Sequence, residues 1–570
     1  MAWRGELSDI SIDFITYHGR SMTIEGRSSM GASRLLLIRK TGNLSKIYQP
    51  EQNTNHSMSG DGFIFNIDTP SDRTKIRFYD SRATDEPISI FTGPFTGLAY
   101  QTVSYKVFGS VIFRKQKKSI VVTPHTKYKV LGLELLFLMR ILFDWRLRAA
   151  RKAIGQTERD DSLNIKRRLL QILKPVLIII EAIAMIPRTF ILRVGYFVAR
   201  CFKRRPIWII SDRLMAAGDN GEAFFRYSMK QQDDIDIYFV LSKRSSDYLR
   251  LIKIGPVLNP RSLAYKLKFL MADKIISSHA DTWVTNPFLR QVTHFANLFN
   301  FDFIFLQHGV TRHDMTDWLG RYEKNIQLFI TAGRKEYESI LDLPYYYDKK
   351  QILLSGFPRY DHLGNGPKGK LIIAPTYRAH LLAGNTDQNG MRRYDPRFKH
   401  SIYFKFYNKL LNDDRIIQLL KDNNMTAEFY LHPNFSAQLT DFIQNEVVSV
   451  PLYPYSYQRA FAEGNLLVSD YSSVVFDFAY LEKPVIYTKF DQDDFYEGQV
   501  YDRSDFFSDE RDGFGEVTYT YEELVVAITA SIKSGCNMKP EYKQRVREFF
   551  YKIDKNNCKR VYDAVVSLGY

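Results

Sequence analysis

The sequence predicts an α/β protein in which two parallel sheets face a cleft, preceded by an antiparallel β domain and a membrane-associated helical segment. Three observations predict it. From Pro206 onward, short apolar strands alternate with helical stretches, the pattern of parallel sheets covered on both faces. That region is long enough for two such sheets. Before it, a strand-rich stretch and a basic apolar stretch differ from it and from each other. The boundaries read as 1–127 for the β domain, 128–205 for the helical segment, 206–345 for the first α/β half and 346–570 for the second.

The totals agree with a folded chain. Its 570 residues are 45% hydrophobic and 14% aromatic, enough for large cores. The formal net charge of +16 fits nucleic acid, an anionic membrane surface or a polyanionic substrate. Cys201, Cys536 and Cys558 are scattered without metal-ligand spacing and fit a reducing compartment. The stretch MAWRGELSDISIDF has no apolar core of signal-peptide length, so a cytoplasmic location is expected.

In the first region, Asp9 to Tyr17, Arg34 to Arg39, Phe63 to Ile67, Lys75 to Tyr79 and Ser119 to Thr123 read as strands between Gly, Asn, Asp and Pro clusters. An antiparallel sandwich or barrel is expected, with a role in recognition or packing. Leu131 to Trp145 then reads as an apolar helix running into Arg146, Arg148, Arg151 and Lys152. Leu169 to Ile186 and Phe190 to Phe202 are further apolar stretches, the latter with Arg188, Arg193, Arg200 and Lys203 to Arg205 within or beside it. None reaches the about 18 uninterrupted apolar residues of a spanning helix. Apolar helices rimmed with cations suit the surface of an anionic bilayer, and a helical linker packed on the globular part is the alternative.

In the α/β region, Ile207 to Ser211, Ile235 to Ser242, Lys274 to Ser278, Phe303 to Leu306, Leu328 to Thr331, Gln351 to Leu354, Lys370 to Ala374 and Glu428 to Leu431 read as strands. Leu466 to Tyr487 reads strand, turn, helix, strand, with Ser472 and Ser473 at the helix start, where free N–H groups and the helix dipole can hold a phosphate or a serine can simply cap. His308, Arg359, Arg378, His432 and Ser472 each follow the carboxyl end of a strand, where open α/β sheets bind ligands.

The ordered set LQHGV (306–310), GFPRYD (356–361), APTYR (374–378), LHPN (431–434) and SDYSSVVFDFAYLEKPVIY (469–487), with SDRLMAAGDNGEAFFRY (211–227), resembles the CDP-glycerol glycerophosphotransferase family of teichoic acid primases and polymerases over about residues 206–540. Leu306-Gln307 stands where that family often has a Trp before its first histidine. The resemblance implies a GT-B architecture, attachment to the cytoplasmic face of the cell membrane, and a CDP-activated polyol donor, CDP-glycerol or CDP-ribitol. It matches the family's two functional histidines to His308 and His432.

The implied reaction needs a base near the acceptor hydroxyl, positive groups on the diphosphate and in-line geometry. His308 suits the base, because an imidazole titrates near working pH, and Gly309 lets the backbone approach the substrate. His432 suits a phosphoryl or leaving-group contact. Arg359 and Arg378 suit bidentate phosphate contacts, with surface ion pairing as the alternative. Ser472 and Ser473 would hold the diphosphate. Asp470 reads as a turn or cap residue, and Asp477 as facing the ribose or orienting a neighbour. His279 follows a strand and could face the cleft. The loop Leu381 to His400, with Arg392, Arg393, Arg397 and Lys399, is either solvated or a lid over an anionic polymer.

No P-loop and no clustered His/Cys set is present, so no tightly held metal is expected, and any Mg²⁺ would arrive with the diphosphate. The expected acceptor is a lipid-linked or polymeric hydroxyl. A GT-B glycosyltransferase using a nucleotide sugar for capsule synthesis shares the fold and the phosphate-holding helix start; the nucleotide released distinguishes it. A non-catalytic membrane adaptor is the reading from another class; it would tolerate loss of either histidine. Nucleic-acid binding rests on charge alone and is set aside.

Overall fold

The computed structural model of the chain describes residues 10–51, 62–96, 98, 105–116, 118–154, 185–364, 366, 369–382, 392–452, 455–498 and 506–569. Residues 169–184 of the expected apolar stretch and 383–391 of the expected lid lie outside them.

The N-terminal domain contains β1 (Ile10–Tyr17), β2 (Ser21–Ser28), β3 (Leu35–Thr41), β4 (Leu44–Tyr48), β5 (Gly62–Asp68), β6 (Thr74–Asp80), β7 (Ile90–Thr92), β8 (Tyr105–Phe108), β9 (Val111–Gln116) and β10 (Ser119–Pro124). They form two sheets, ordered β5-β2-β1-β7 and β4-β3-β6-β10-β9-β8. Pairing is antiparallel except that β1 and β7 run parallel. Alternation drives the packing: Met22 and Ile24 of β2 point inward, and Phe63, Phe65 and Phe78 interlock between the sheets. The domain docks on the first α/β half through Glu25–Arg321 at 2.7 Å and through Arg27, 4.4 Å above the Tyr322 ring.

Among the described residues two helices follow, α1 (Lys127–Ile154) and α2 (185–202). Val130, Phe137, Ile141, Leu192 and Tyr196 face inward. Arg193, expected on the cationic rim, lies inside instead. It is fully buried, paired with Glu134 and bonded to Asn297, and its guanidinium lies 3.7 Å from the Phe137 ring centroid. The opposite faces stay bare: Tyr128, Leu131, Leu135 and Met139 on α1, and Phe190, Val194, Val198 and Phe202 on α2, are exposed. Among the described residues no helix is long and apolar enough to cross a membrane. The side chains of Arg146, Arg148, Arg151 and Lys152 lie outside the described set.

The first parallel sheet holds β11 (Ile207–Ser211), β12 (Asp236–Val240), β13 (Val257–Leu258), β14 (Lys274–Ser277), β15 (Asp302–Phe305), β16 (Ile326–Thr331) and β17 (Ile352–Leu354), in the order β13-β12-β11-β14-β15-β16-β17. The second holds β18 (Lys370–Ile373), β19 (Thr426–Phe429), β20 (Val448–Ser449), β21 (Gly464–Ser469), β22 (Val485–Thr488) and β23 (Gly515–Thr518), in the order β20-β19-β18-β21-β22-β23. Both orders are doubly wound, reversing between β11 and β14 and between β18 and β21. Central strands such as β11 are buried at every residue, as sheets covered on both faces require.

The expected boundary at 345/346 moves. β17 pairs with β16 and so belongs to the first half. The chain also returns to that half at its end: Tyr562, on the helix Asn557–Ser567, packs 5.4 Å from the Trp208 ring and bonds Asp233.

Candidate active site

The two reversal points face a cavity of about 780 Å³, lined by residues of both halves. β11 ends at Ser211, and Asp212 and Arg213 follow it. Asp212 accepts the N–H groups of Gly221 (2.7 Å), Glu222 (3.1 Å) and Asp219 (3.1 Å) and the hydroxyl of Ser278. The start of α3 (Asn220–Ser228) is thereby filled by the chain's own carboxylate, leaving that helix end closed to an outside anion. A Cβ on Gly221 would strike Asp212 and the Ser211 carbonyl, so only glycine fits. Burial, with Asp219 adding to it, pushes the Asp212 carboxyl up to about 7.

The loop after β15 presents His308. Gln307 before it adopts a left-handed φ of 58°, unusual for a residue with a side chain. The turn is held from three sides. Gln307 Nε2 donates to the Ile330 carbonyl (2.6 Å) and to Glu336 (3.0 Å), while its Oε1 accepts the Thr311 hydroxyl (2.7 Å). Glu336, on the helix Arg334–Asp342, also accepts the N–H groups of Thr311 and Ala332, each at 2.7 Å. Asn220 Nδ2 donates to the Gln307 carbonyl at 2.6 Å. Burial raises the Glu336 carboxyl to about 7 against these donors.

The His308 ring is open to the cavity but walled by protein. That enclosure lowers its pKa; Asp219 opposes the shift, while Arg213 and Arg359 reinforce it. The imidazole is therefore neutral at pH 7. The His279 ring stacks on it, centroids 5.0 Å apart and planes at 10°. Arg213 Nε donates to His279 Nε2 at 3.2 Å, so His279 keeps that nitrogen unprotonated, and burial holds it neutral.

Across the cavity stand Ser472 and Ser473. Ser473 precedes the helix Val474–Tyr480 without making a side-chain cap bond, and Ser472 Oγ accepts the Val474 N–H at 3.4 Å. A Cβ on Gly309 would collide with Ser473 Oγ, so the His308 loop and the serine turn nearly touch. His432 follows β19. Its Nδ1 accepts the Asn434 N–H (3.2 Å), which leaves Nε2 to carry the ring proton. Burial, with Arg213 adding to it, lowers its pKa to about 4. Its ring lies 4.8 Å from that of Tyr377.

The two arginines depart from expectation. Arg378 is fully buried and does not line the cavity. It forms a bidentate pair with Asp491 (2.7 and 2.9 Å) and bonds Asp470 (2.9 Å) and the Thr376 carbonyl (3.1 Å). Arg359 lines the cavity, but its nitrogens are committed: Nε and Nη2 to Asp477 (2.6 and 2.8 Å), Nη1 to Asp219 (2.7 Å). It clamps the first half to the second, and Asp477 orients it. Burial decides both cases: a guanidinium removed from water takes carboxylate partners within the fold. In the expected lid, Arg397 and Lys399 pair with Asp395 and Asp441.

Arg250, Arg312 and Arg213 also line the cavity, and the terminal nitrogens of Arg213 make no hydrogen bond among the described residues. Arg213 and His279 follow β11 and β14, the strands at the first reversal point. Both end apolar runs in the sequence, which is what brings His279 to notice there, but only the strand order puts the two at one reversal. The described residues contain no group of three or more His, Cys, Asp or Glu placed to hold a metal ion.

Residues 192–567 match the family described as CDP-glycerol:poly(glycerophosphate) glycerophosphotransferase. The minor teichoic acid biosynthesis protein GgaB of Bacillus subtilis (strain 168) is 41% identical over 384 residues, 67% of this chain and 42% of that protein. A teichoic acid glycerol-phosphate transferase of Staphylococcus aureus (strain NCTC 8325 / PS 47) is 28% identical over 173 residues, 27% of this chain and 39% of that protein. The matches span less than half the length of these curated relatives. Among solved structures, a variant of the wall teichoic acid polymerase TagF aligns with a TM-score of 0.48 at 14% identity, over 71% of this chain and 98% of that one. With the family match covering most of its length, the chain belongs to the CDP-glycerol:poly(glycerophosphate) glycerophosphotransferase family.

Proposed function

We propose that the protein transfers a polyol phosphate, glycerol phosphate first, from a CDP-activated donor to a hydroxyl of a lipid-linked or polymeric acceptor in teichoic acid synthesis. The observation that carries this reading is the near-contact of the His308–Gly309 loop with Ser472–Ser473 across a cavity at two strand-order reversals. Neutral His308 takes the acceptor proton as its oxygen attacks phosphorus. The new P–O bond forms as the bond to CMP breaks. The serine turn and Arg213 hold the diphosphate, and His432 Nε2–H donates to the departing phosphate. Arg359 fixes the two halves at the separation this attack needs.

The exposed apolar stripes of α1 and α2 support a peripheral seat on the cytoplasmic face of the membrane, with Lys127, Lys129, Arg140, Arg200 and Arg204 exposed beside them to meet anionic lipid. The β domain packs beside this segment and braces it.

Incubation with CDP-glycerol, CDP-ribitol and UDP-sugars on a lipid-linked acceptor, followed by mass analysis, tests the reading. A product heavier by one polyol phosphate, with CMP released, is expected. Release of UDP instead would make the protein a sugar transferase.

A further inference from the structure

A second cavity, of about 540 Å³, adjoins the first and shares Glu222, Arg250 and Gln458 with it. Gln458 Nε2 reaches the Gly218 carbonyl at 3.4 Å, a long bond bridging the two halves where the cavities meet. From there the second cavity follows α3. Glu222 and Arg226 lie one turn apart on α3, and Lys230 follows just past the end of that helix. Arg250 and His362 stand in the other walls.

The groove is basic. Three cations line it against one carboxylate, Glu222, which accepts from Arg226 (2.7 Å) and Arg250 (2.8 Å). Asp247, outside the lining, takes a further bond from Arg250. Lys230 is exposed, and its side chain makes no hydrogen bond or ion pair among the described residues. No Phe, Tyr or Trp lines the groove, and the His362 imidazole is the one ring it offers a nucleobase. Spaced cations with so little aromatic platform suit a flexible chain of phosphates.

We propose that this groove holds the phosphodiester chain of the acceptor behind its terminal unit. The terminal hydroxyl reaches His308 in the main cavity, the chain passes Gln458, and its next phosphates meet Arg226 and Lys230. The assignment rests on the transfer reaction proposed above and adds a preference for chains over single units.

The test uses Lys230→Glu, with Lys230→Ala as the milder variant; the residue is exposed, so the fold should tolerate both. Binding of a fluorescently labelled glycerol phosphate oligomer is measured by anisotropy at several salt concentrations, without donor. Transfer to the oligomer and to a one-unit acceptor is measured separately. Lys230→Glu should weaken oligomer binding by about threefold to tenfold and flatten its salt dependence. KM for donor and for the one-unit acceptor should not change. Unchanged oligomer binding, or equal losses for both acceptors, would overturn the assignment. Lys230-dependent oligomer binding by an enzyme that transfers nothing from CDP-glycerol would sink the transfer reaction and leave the groove standing.

Discussion

Arg359→Met removes the guanidinium that joins Asp219 of the first half to Asp477 of the second. Its three charged hydrogen bonds measure 2.6, 2.7 and 2.8 Å, and its side chain is a tenth exposed. Breaking a buried pair by deleting one partner costs about 3–5 kcal/mol, because the other charge is stranded. At roughly 2 °C per kcal/mol for a large domain, Tm should fall by roughly 6–10 °C. A second effect reaches the chemistry. Arg359 helps lower the His308 pKa while Asp219 opposes it, so deletion should move the acid limb of the rate profile to higher pH. Adding Asp477→Asn removes a stranded charge and should recover part of the lost Tm. The assays are thermal unfolding at pH 7.5, donor affinity by calorimetry and the pH dependence of single-turnover transfer. A variant with wild-type Tm but no donor affinity would refute the clamp and return the guanidinium to the phosphate.

Five further perturbations follow from the same geometry. His308→Gln should slow single-turnover transfer by about 10²–10⁴-fold with donor affinity kept; a near-wild-type rate would make the residue structural and point to His279. With His308 held below its usual pKa, the wild-type kcat/KM should stay level above pH 6.5 and fall only on further acidification. Glu336→Gln sets an amide N–H₂ against N–H donors on one side of the group and should cost about 1–3 kcal/mol, read as a lower Tm together with a lower kcat from the loosened His308 loop. Ser473→Asp should weaken donor binding by more than the about 1–2 kcal/mol of Ser473→Ala, since a carboxylate would meet the diphosphate; an Asp variant with unchanged affinity would place the diphosphate elsewhere. Replacing Leu131, Leu135, Phe190 and Phe202 together by Ser should abolish sedimentation with anionic vesicles, and equal sedimentation would remove the membrane from α1 and α2.

Much of this site was legible because strand ends are legible. Apolar runs closed by His, Ser or Gly located His308, His432 and the serine pair within a residue or two. Legibility failed where an answer depends on which strand lies beside which. Arg213 ends a run no different from the others, and although its strand end puts His279 near the cleft, only the order β11-β14 brings the two to one reversal. Arg359 and Arg378 failed for another reason. An arginine after a strand looks the same whether it meets a ligand or a carboxylate far away in sequence, and Asp477 and Asp491 lie more than a hundred residues downstream. β17 was assigned to the wrong half because three apolar residues do not name their neighbour. Arg193 was placed on a cationic rim because its partner Glu134 belongs to another helix.

The charge balance around His308 bears on how a base survives in a phosphate site. In the free protein the imidazole is neutral through enclosure, with Arg213 and Arg359 as nearby cations and Asp219 as the opposing anion. A diphosphate entering between Arg213 and the serine turn brings negative charge into the same enclosed volume, where interactions are weakly screened. Negative charge near an imidazole favours its protonated form, so the donor itself raises the basicity of His308. On the proposed reaction, the protein is thus spared a protonated, useless histidine while empty and acquires a stronger base once the donor is seated. The acid limb of kcat should accordingly lie at higher pH than that of kcat/KM, because the first reports the loaded enzyme and the second the free one. Arg213 lowers the His308 pKa whether the donor is bound or not, so it shifts both limbs together. Arg213→Gln should therefore move both limbs to higher pH while weakening donor binding, whereas a cation serving the fold alone would leave both limbs in place.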